Sequence, residues 1–321
     1  MSSNVISLFP VKIVASRSRL VLLPVIGILI FLSLWHLAAR EVKTSLGTLP
    51  GPVQTYQQFN HLIDDHWQER NKEQAFIERQ VKRNAEKLSL NPDAKVKIRP
   101  YTGKSTFFDQ VLTSLVTVAA GFLLATVIAI PLGIVLGLNQ GLYQTFNPII
   151  QLLKPVSPLA WLPIVTIVVS ATYVSDDPLV AKSFVTSLLT VTLCSLWPTL
   201  INTAVGVTNI DKDLINVSRV LQLSWWQHLR TIVLPSAIPM IFTGLRLSLG
   251  IAWMVLIAAE MLAQNPGLGK FVWDEFQNGS SASLGRIMVA VLTIGFIGLM
   301  LDKGMLQLQK WLSWNKQQAL R

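Results

Sequence analysis

The sequence predicts an all-α membrane protein with about six transmembrane helices, and three observations carry that expectation. The 321 residues are 51% apolar and 14% charged, with a mean hydropathy of +0.48. That is too apolar for a soluble domain, and the chain is too long for a single anchor. Apolar runs of membrane-spanning length lie near 20–39, 111–138, 149–172, 179–205, 235–263 and 284–301. Basic residues flank both ends: Lys12, Arg17 and Arg19 precede the first run, and Lys303, Lys310, Lys316 and Arg321 follow the last. By the positive-inside rule both termini are cytoplasmic, which requires an even number of spans and puts the acidic Asp176-Asp177 loop outside.

The first run follows two arginines but is a full span with no small-x-small cleavage site, so residues 1–40 read as a cytoplasmic N-terminus and a retained first helix. Residues 41–106 form a hydrophilic insertion, placed in the periplasm. Within it Ile63, Trp67, Ile77, Val81 and Leu88 share one helical face with charges interleaved elsewhere, which predicts a surface helix. Asn91-Pro92-Asp93 ends that helix, and Lys95 to Gly103 returns in extended form. The insertion is either a docking surface for an extracytoplasmic partner or a solvated lengthening of a loop.

Residues 107–303 are compact, with short connections such as the turn at Asn139-Gln140-Gly141. Pro155, Pro158 and Pro163 crowd the third span, and Trp197-Pro198 interrupts the fourth, so both are expected to break at membrane depth. Around the breaks lie Ser157, Trp161, Trp197, Thr199, Asn202 and Thr203. Their hydroxyl, amide and indole groups suit a small oxyanion that must not bind too tightly, and a kinked packing core would use the same residues.

The fifth span carries Arg246 and Glu260, fourteen residues and about 21 Å apart along a helix, too far to pair. Arg246 either lines an anion path or ties its helix to a neighbour. Glu260, near the outer end, is expected to hold gate or loop geometry, since it would repel an anion. Lys154, Lys182 and Arg286 lie near span ends and can snorkel. The last outer loop runs from Gln264 through Phe271, Trp273 and Phe276 to Gly279, with its aromatics at the interface, and 304–321 is a basic cytoplasmic tail.

On the cytoplasmic side, Asn216 to Pro235 reads NVSRVLQLSWWQHLRTIVLP. Leu214, Val217, Leu221 and Trp225 recur at helical spacing, while Asn216, Ser218, Arg219, Gln222 and Gln227 face elsewhere. The apolar stripe is expected to lie on the chain's own helices and the polar one to meet a partner; an interfacial helix on headgroups has the same pattern.

Several chemistries are excluded. The net charge of +10 gathers at span ends and not in one patch, which argues against nucleic acid. Cys194 is the only cysteine, and the four histidines lack metal-ligand spacing. There is no P-loop, so this chain binds no nucleotide by that route; any ATP and Mg²⁺ belong to a separate chain. The spans hold no catalytic pair at convincing spacing, so the chain is not read as an enzyme.

Ten residues after Gln222 comes Ile232, then one residue, then Leu234-Pro235. This resembles the EAA loop of ABC importer permeases, in which Glu-Ala-Ala is followed by three residues, Gly, nine residues and Ile-x-Leu-Pro. Asn216, Val217 and Ser218 stand where Glu-Ala-Ala is usual, and Gln222 where Gly is usual. With PVSPLAWLPIV, LWPTLINTAVGV and SAIPMIFTGLRLSLGIAWMVLIAAEML, residues 107–303 resemble the permeases of nitrate ABC importers, within the nitrate, sulfonate, taurine and bicarbonate group.

The resemblance implies a type I permease fold in a bacterial inner membrane, a permease pair or homodimer, two cytoplasmic ATPases, and a periplasmic or lipid-anchored substrate-binding protein. It implies a coupling helix at about 213–229, and nitrate as cargo, with nitrite or cyanate as extensions. Bicarbonate or a sulfonate such as taurine is the rival cargo, and a non-transporting membrane scaffold the rival class. Glycine at position 222 would permit a bend, whereas Gln222 is expected to favour a continuous helix.

Overall fold

The computed structural model describes residues 17–44, 47–91, 95–174 and 180–312. In chain order these form α1 (Arg17–Glu41), a short hairpin β1–β2 (Lys43–Thr44 and Gly47–Thr48), α2 (Pro52–Leu90), α3 (Phe107–Leu138), α4 (Gln140–Leu153) and α5 (Pro158–Thr172). There follow α6 (Lys182–Thr208), α7 (Lys212–Val220), α8 (Trp225–His228), a π turn (Leu229–Val233), α9 (Leu234–Ala263), α10 (Leu268–Asn278) and α11 (Ser281–Leu312). Among the described residues five helices are long and apolar enough to cross a membrane, and α4 with α5, bent by 99° at their break, can supply a sixth pass. Lys12, Lys316, Arg321 and the Asp176-Asp177 loop lie outside the described residues.

Helix directions follow from which residues meet. Along α3 and α6, Gly121 faces Val191, Gly133 faces Thr203 and Gly137 faces Val207, so the two helices run parallel. The chain between them must therefore return across the layer, and α4–α5 is the segment that returns. Along α6 and α9, Gly206 faces Met240 and Gly244 faces Thr199, an antiparallel pair. Trp253 donates to the Ile294 carbonyl, and Arg246 pairs with Asp302, so α9 and α11 are antiparallel too.

The core is the α3–α6–α9 sandwich, and small residues make it close. A Cβ on Gly133 would fall 2.6 Å from the Thr203 Cβ, and one on Gly244 would fall 2.8 Å from the Thr199 Cα. In lipid, where no hydrophobic force favours helix over lipid tail, such close backbone approach and interhelical hydrogen bonds hold spans together. Thr192 accordingly donates to the Gly121 carbonyl at 3.1 Å.

The break before α5 falls at Lys154–Ser157, and Ser157 caps the new helix by accepting from the Leu159 amide at 3.3 Å. The break expected at Trp197-Pro198 is absent: α6 is continuous from Lys182 to Thr208. Its hydrogen-bond ladder is repaired from outside, because the Ser248 hydroxyl of α9 accepts from the Thr199 amide at 3.1 Å. Proline is tolerated in a span when a neighbour's side chain takes up the freed backbone groups.

The insertion helix is longer than expected and buries a different face. α2 begins at Pro52 and buries Thr55 and Leu62, while Trp67 is 62% and Val81 50% exposed. Periodicity identified the apolar stripe but not whether anything covers it. The inner face is pinned by polar contacts to the bundle: His66 to the Thr106 hydroxyl at 2.7 Å, Arg70 to Asp109 at 2.9 Å, and Asp65 to Arg286 at 3.2 Å. Residues 95–106 return along α2, with Gln80 exchanging two hydrogen bonds with the Arg99 backbone and Tyr101 donating to Glu69 at 2.7 Å. The Tyr101 hydroxyl, with Lys72, holds the Glu69 carboxyl below its usual range.

Candidate functional site

Three constellations hang on α9: a helical turn at its N-terminal end, a polar core along its length, and a buried carboxylate at its far end. The first is the segment from Asp211 to Pro235. The Asp211 side chain caps α7 by accepting from the Asp213 amide at 2.9 Å. α7 then stops after only nine residues. The Gln222 amide donates to the Arg219 carbonyl and the Leu223 amide to the Ser218 carbonyl, both at 3.1 Å. Those two bonds are a Schellman ending, which needs a left-handed residue at its turn. Gln222 occupies it, with φ at 47°. The continuous helix expected of Gln222 therefore does not form; the turn's hydrogen bonds outweigh the residue's helix propensity, and Gln takes the backbone shape that glycine takes most easily.

Beyond the turn, Ser224 and Gln227 cap α8 reciprocally. Ser218, itself buried, meets His228 Nδ1 at 2.8 Å and ties α7 to α8. The chain then opens into the π turn before Pro235. A proline clashes with the carbonyl four residues back in an α-helix, and the wider π register relieves that clash. Leu229, Ile232 and Val233 are buried there, with Leu234 half-buried and Pro235 exposed.

The side of α7 that faces the bundle is Ile215 and Ser218, joined by Leu223 after the turn. The stripe expected to lie on the chain's own helices is instead bare: Val220 is 82% exposed, Trp225 65% and Leu221 63%, with Leu214 and Val217 also exposed. Asn216 and Arg219 flank it in solvent. Trp225 and Trp226 stack, and the Arg230 guanidinium sits 4.6 Å from the Trp226 ring centre.

The polar residues proposed for a path fall into separate places. Thr199 donates to Ser248 at 2.7 Å, and Asn202 donates to the Pro198 carbonyl at 2.8 Å; both lie at the α6–α9 crossing by Gly244. Thr203 lies on the other side of α6, against Gly133 of α3. Trp161 packs with the cluster around Val191 and Ala252, and Trp197 with the one around Ala125 and Leu200. The indole Nε1 atoms of Trp161 and Trp197 and the hydroxyls of Ser187, Ser195 and Thr203 are buried without a hydrogen-bond partner. Ser157 is exposed at the start of α5. Arg246 is not a free positive charge: its guanidinium makes a two-point contact with the Asp302 carboxylate of α11, Nη2 to Oδ2 at 2.7 Å. Asp302, next to Lys303 at the end of the last apolar run, was legible only as a boundary residue.

At the far end Glu260 is fully buried. Its carboxylate accepts from the Ser114 hydroxyl of α3 at 2.7 and 2.9 Å and from the Gly269 amide at 3.0 Å. Ser114 in turn accepts from the Leu268 amide at 2.8 Å, and Asn265, also buried, reaches Thr117 at 3.3 Å. The loop from Gln264 to Gly269 is thus clasped between α3 and α9. Among the described residues no group of His, Cys, Asp or Glu has the arrangement of a metal site.

Residues 129–312 match the family model described as binding-protein-dependent transport system inner membrane component. A bicarbonate transport system permease protein of Synechococcus elongatus is 36% identical over 296 residues, 92% of this chain and 90% of that protein. A nitrate import permease protein of Leptolyngbya laminosa is 40% identical over 205 residues, 63% of this chain and 68% of that protein. A bicarbonate permease of Synechocystis is 42% identical over 204 residues, 63% of this chain and 68% of that protein. The inward-facing MetNI methionine ABC transporter superposes with a TM-score of 0.54 at 16% identity, over 64% of this chain and 95% of that one, which shows a shared fold. The chain belongs to the binding-protein-dependent transport system inner membrane components: it is a multi-span ABC importer permease of the group that holds nitrate and bicarbonate permeases, and it is a transport subunit, not an enzyme.

Proposed function

We propose that this permease translocates nitrate, with nitrite or cyanate as related cargo. The observation that carries the reading is the pair of buried, unpartnered indole N–H groups on Trp161 and Trp197. Indole donates and cannot accept, and nitrate accepts through three oxygens and donates nothing. Bicarbonate carries an O–H that also needs an acceptor, which the indoles cannot supply and which a hydroxyl such as Ser195 or Thr203 would have to provide. With Arg246 engaged by Asp302, the interior offers neutral donors, which hold a monoanion loosely enough to release it. Bicarbonate is the second reading, supported by the Synechococcus relative that matches 92% of this chain.

Transport is driven by separate ATPase chains, which hold the ATP and Mg²⁺, and cargo arrives on a periplasmic or lipid-anchored binding protein; two permease copies form the path. Both termini lie in the cytoplasm, with Lys212, Arg219, Arg230, Lys303 and Lys310 on that side. There the bare Val217, Val220 and Leu221 meet the ATPase, Asn216 and Arg219 border the contact, and Ser218, Gln222, Ile232, Leu234 and Pro235 hold its shape. Glu260 fixes the outer loop geometry. The test is ATP-dependent uptake by the reconstituted complex. Nitrate uptake is expected to exceed bicarbonate uptake, and Trp197→Phe, which removes the N–H together with part of the ring, is expected to lower nitrate uptake several-fold while basal ATP hydrolysis and the unfolding midpoint show that the subunit still folds and assembles. Stimulation of ATP hydrolysis by bicarbonate and not by nitrate would overturn the assignment.

A further inference from the structure

Two cavities bracket α2. On one flank Tyr56 and Phe59 join Trp35 of α1 and Leu292 and Phe296 of α11 around an apolar groove of about 570 Å³. Its other walls are the spans α1, α3 and α11, so this flank lies on the side of the spans. On the opposite flank Asp65, Gln68 and Lys72 line a polar cleft of about 620 Å³ shared with Asp274 and Arg286, and this flank faces water.

Helical spacing carries both flanks along the 39 residues of α2. At 100° per residue Ile63, Trp67, Ile77, Val81 and Leu88 all fall within about 60° of Tyr56 around the helix, with Arg70 and Gln74 on the same face between Trp67 and Ile77. Lys72, Arg79 and Glu86, seven residues apart, share the opposite face. The apolar series is therefore the continuation of the flank beside the spans, and four of its five members, from Trp67 to Leu88, are exposed. From Gln74 to Lys104 the sequence carries eight lysines and arginines against three acidic residues. Like charge of that size disfavours pairing with a second copy of the arm. Over the whole of α2 the charges balance, six basic against six acidic, so the excess belongs to its distal half and the segment that returns beside it. An apolar stripe with cationic residues around it is the pattern of a helix lying in a lipid interface, where anionic headgroups add to the attraction.

We propose that α2 lies along the outer surface of the bilayer, its Ile63–Leu88 stripe sunk into the headgroup boundary and anionic phospholipid its partner. The lipid contact stands apart from cargo; the choice of leaflet rests on the orientation proposed above. To test it, Cys194→Ala removes the only native thiol, and nitroxides are attached in the intact permease at Ile77→Cys, Val81→Cys and Leu88→Cys, and at Arg79→Cys and Glu86→Cys. In nanodiscs containing phosphatidylglycerol, the first three are expected to collide with a water-soluble nickel chelate several-fold less than the last two, with oxygen collisions reversed. Replacing phosphatidylglycerol by zwitterionic lipid is expected to narrow the contrast; an unchanged contrast would remove the anionic-lipid partner. Equal nickel access on both flanks overturns the proposal, and protection that appears only when the binding protein is added makes the stripe a protein-docking surface instead. Labelling of Arg79→Cys by an impermeant maleimide in spheroplasts reads the leaflet separately, so a wrong orientation is told apart from a missing lipid contact.

Discussion

At its C-terminal end α9 closes on a loop whose polar groups are hydrogen-bonded within the fold, whereas at its N-terminal end it runs into a π turn and a helix pair with bare apolar side chains. Glu260, Ser114, Asn265 and the Leu268 and Gly269 amides share one buried network. Gly267 and Gly269 leave no room for a Cβ beside Glu260. By contrast, the N-terminal end has a glutamine in left-handed conformation and one side-chain bond, Ser218 to His228, between its two short helices. One end is tied into a single hydrogen-bonded unit; the other leaves apolar surface bare and holds a backbone shape it barely favours. The clasp joins the start of α3, the end of α9 and the start of α10, so displacing one of them displaces all three.

The largest effect tests the clasp. Glu260→Ala strands the Ser114 hydroxyl and the Gly269 amide in a buried site, each costing about 1–3 kcal/mol, so a loss of about 3 kcal/mol or more is expected. A fall in the thermal unfolding midpoint of the purified permease reads it, and Glu260→Gln, which can still accept from Gly269, should fall less. If Glu260→Ala keeps its unfolding midpoint but loses transport, the C-terminal end is a moving gate and the contrast between the two ends dissolves.

Next comes the bare surface. Leu221→Asp puts a charge on the exposed stripe, and a central interface position of this kind costs about 2 kcal/mol, roughly thirtyfold in ATPase affinity. The unfolding midpoint should not move, since Leu221 is 63% exposed. Co-purification of the ATPase with the variant measures it; undiminished recovery would return the stripe to the lipid headgroups.

Much of this architecture was readable from residue order, and the unreadable parts share a physical cause. Hydropathy marked the spans, and the Gln222-to-Pro235 spacing marked the EAA-like segment, because both are local patterns. Glu260 was legible as an expensive buried charge, but Ser114, 146 residues away, was one serine in an apolar run. Arg246 was visible while Asp302 hid at a span boundary, and Ser248 gave no sign that it would mend α6 at Pro198. Periodicity also misassigned the apolar face of α7 and left that of α2 unassigned, since an apolar stripe looks the same whether covered by protein, by lipid or by a partner. Gln222 failed for another reason. Its side chain predicts helix, while its place at the turn of a Schellman ending demands a left-handed backbone.

That conflict supplies the smallest and sharpest test. Placing a non-glycine residue in the left-handed region costs about 1 kcal/mol, so Gln222→Gly should relieve that strain, offset in part by the greater freedom glycine has when unfolded. The net gain in stability is expected to be under about 1 kcal/mol, seen as slower amide exchange at Leu223 and Gln222, whose N–H groups close the turn. Gln222→Pro should do the reverse, since proline cannot adopt positive φ and removes the N–H that Arg219 receives. If Gln222→Gly tightens the turn yet weakens coupling of ATP hydrolysis to uptake, the strain at the N-terminal end is part of how it works and not a residue of sequence drift. If both exchange and coupling stay as they were, the turn is held by the docked surface around it, and the compliance attributed to this end belongs to the π turn at Leu229–Val233 alone.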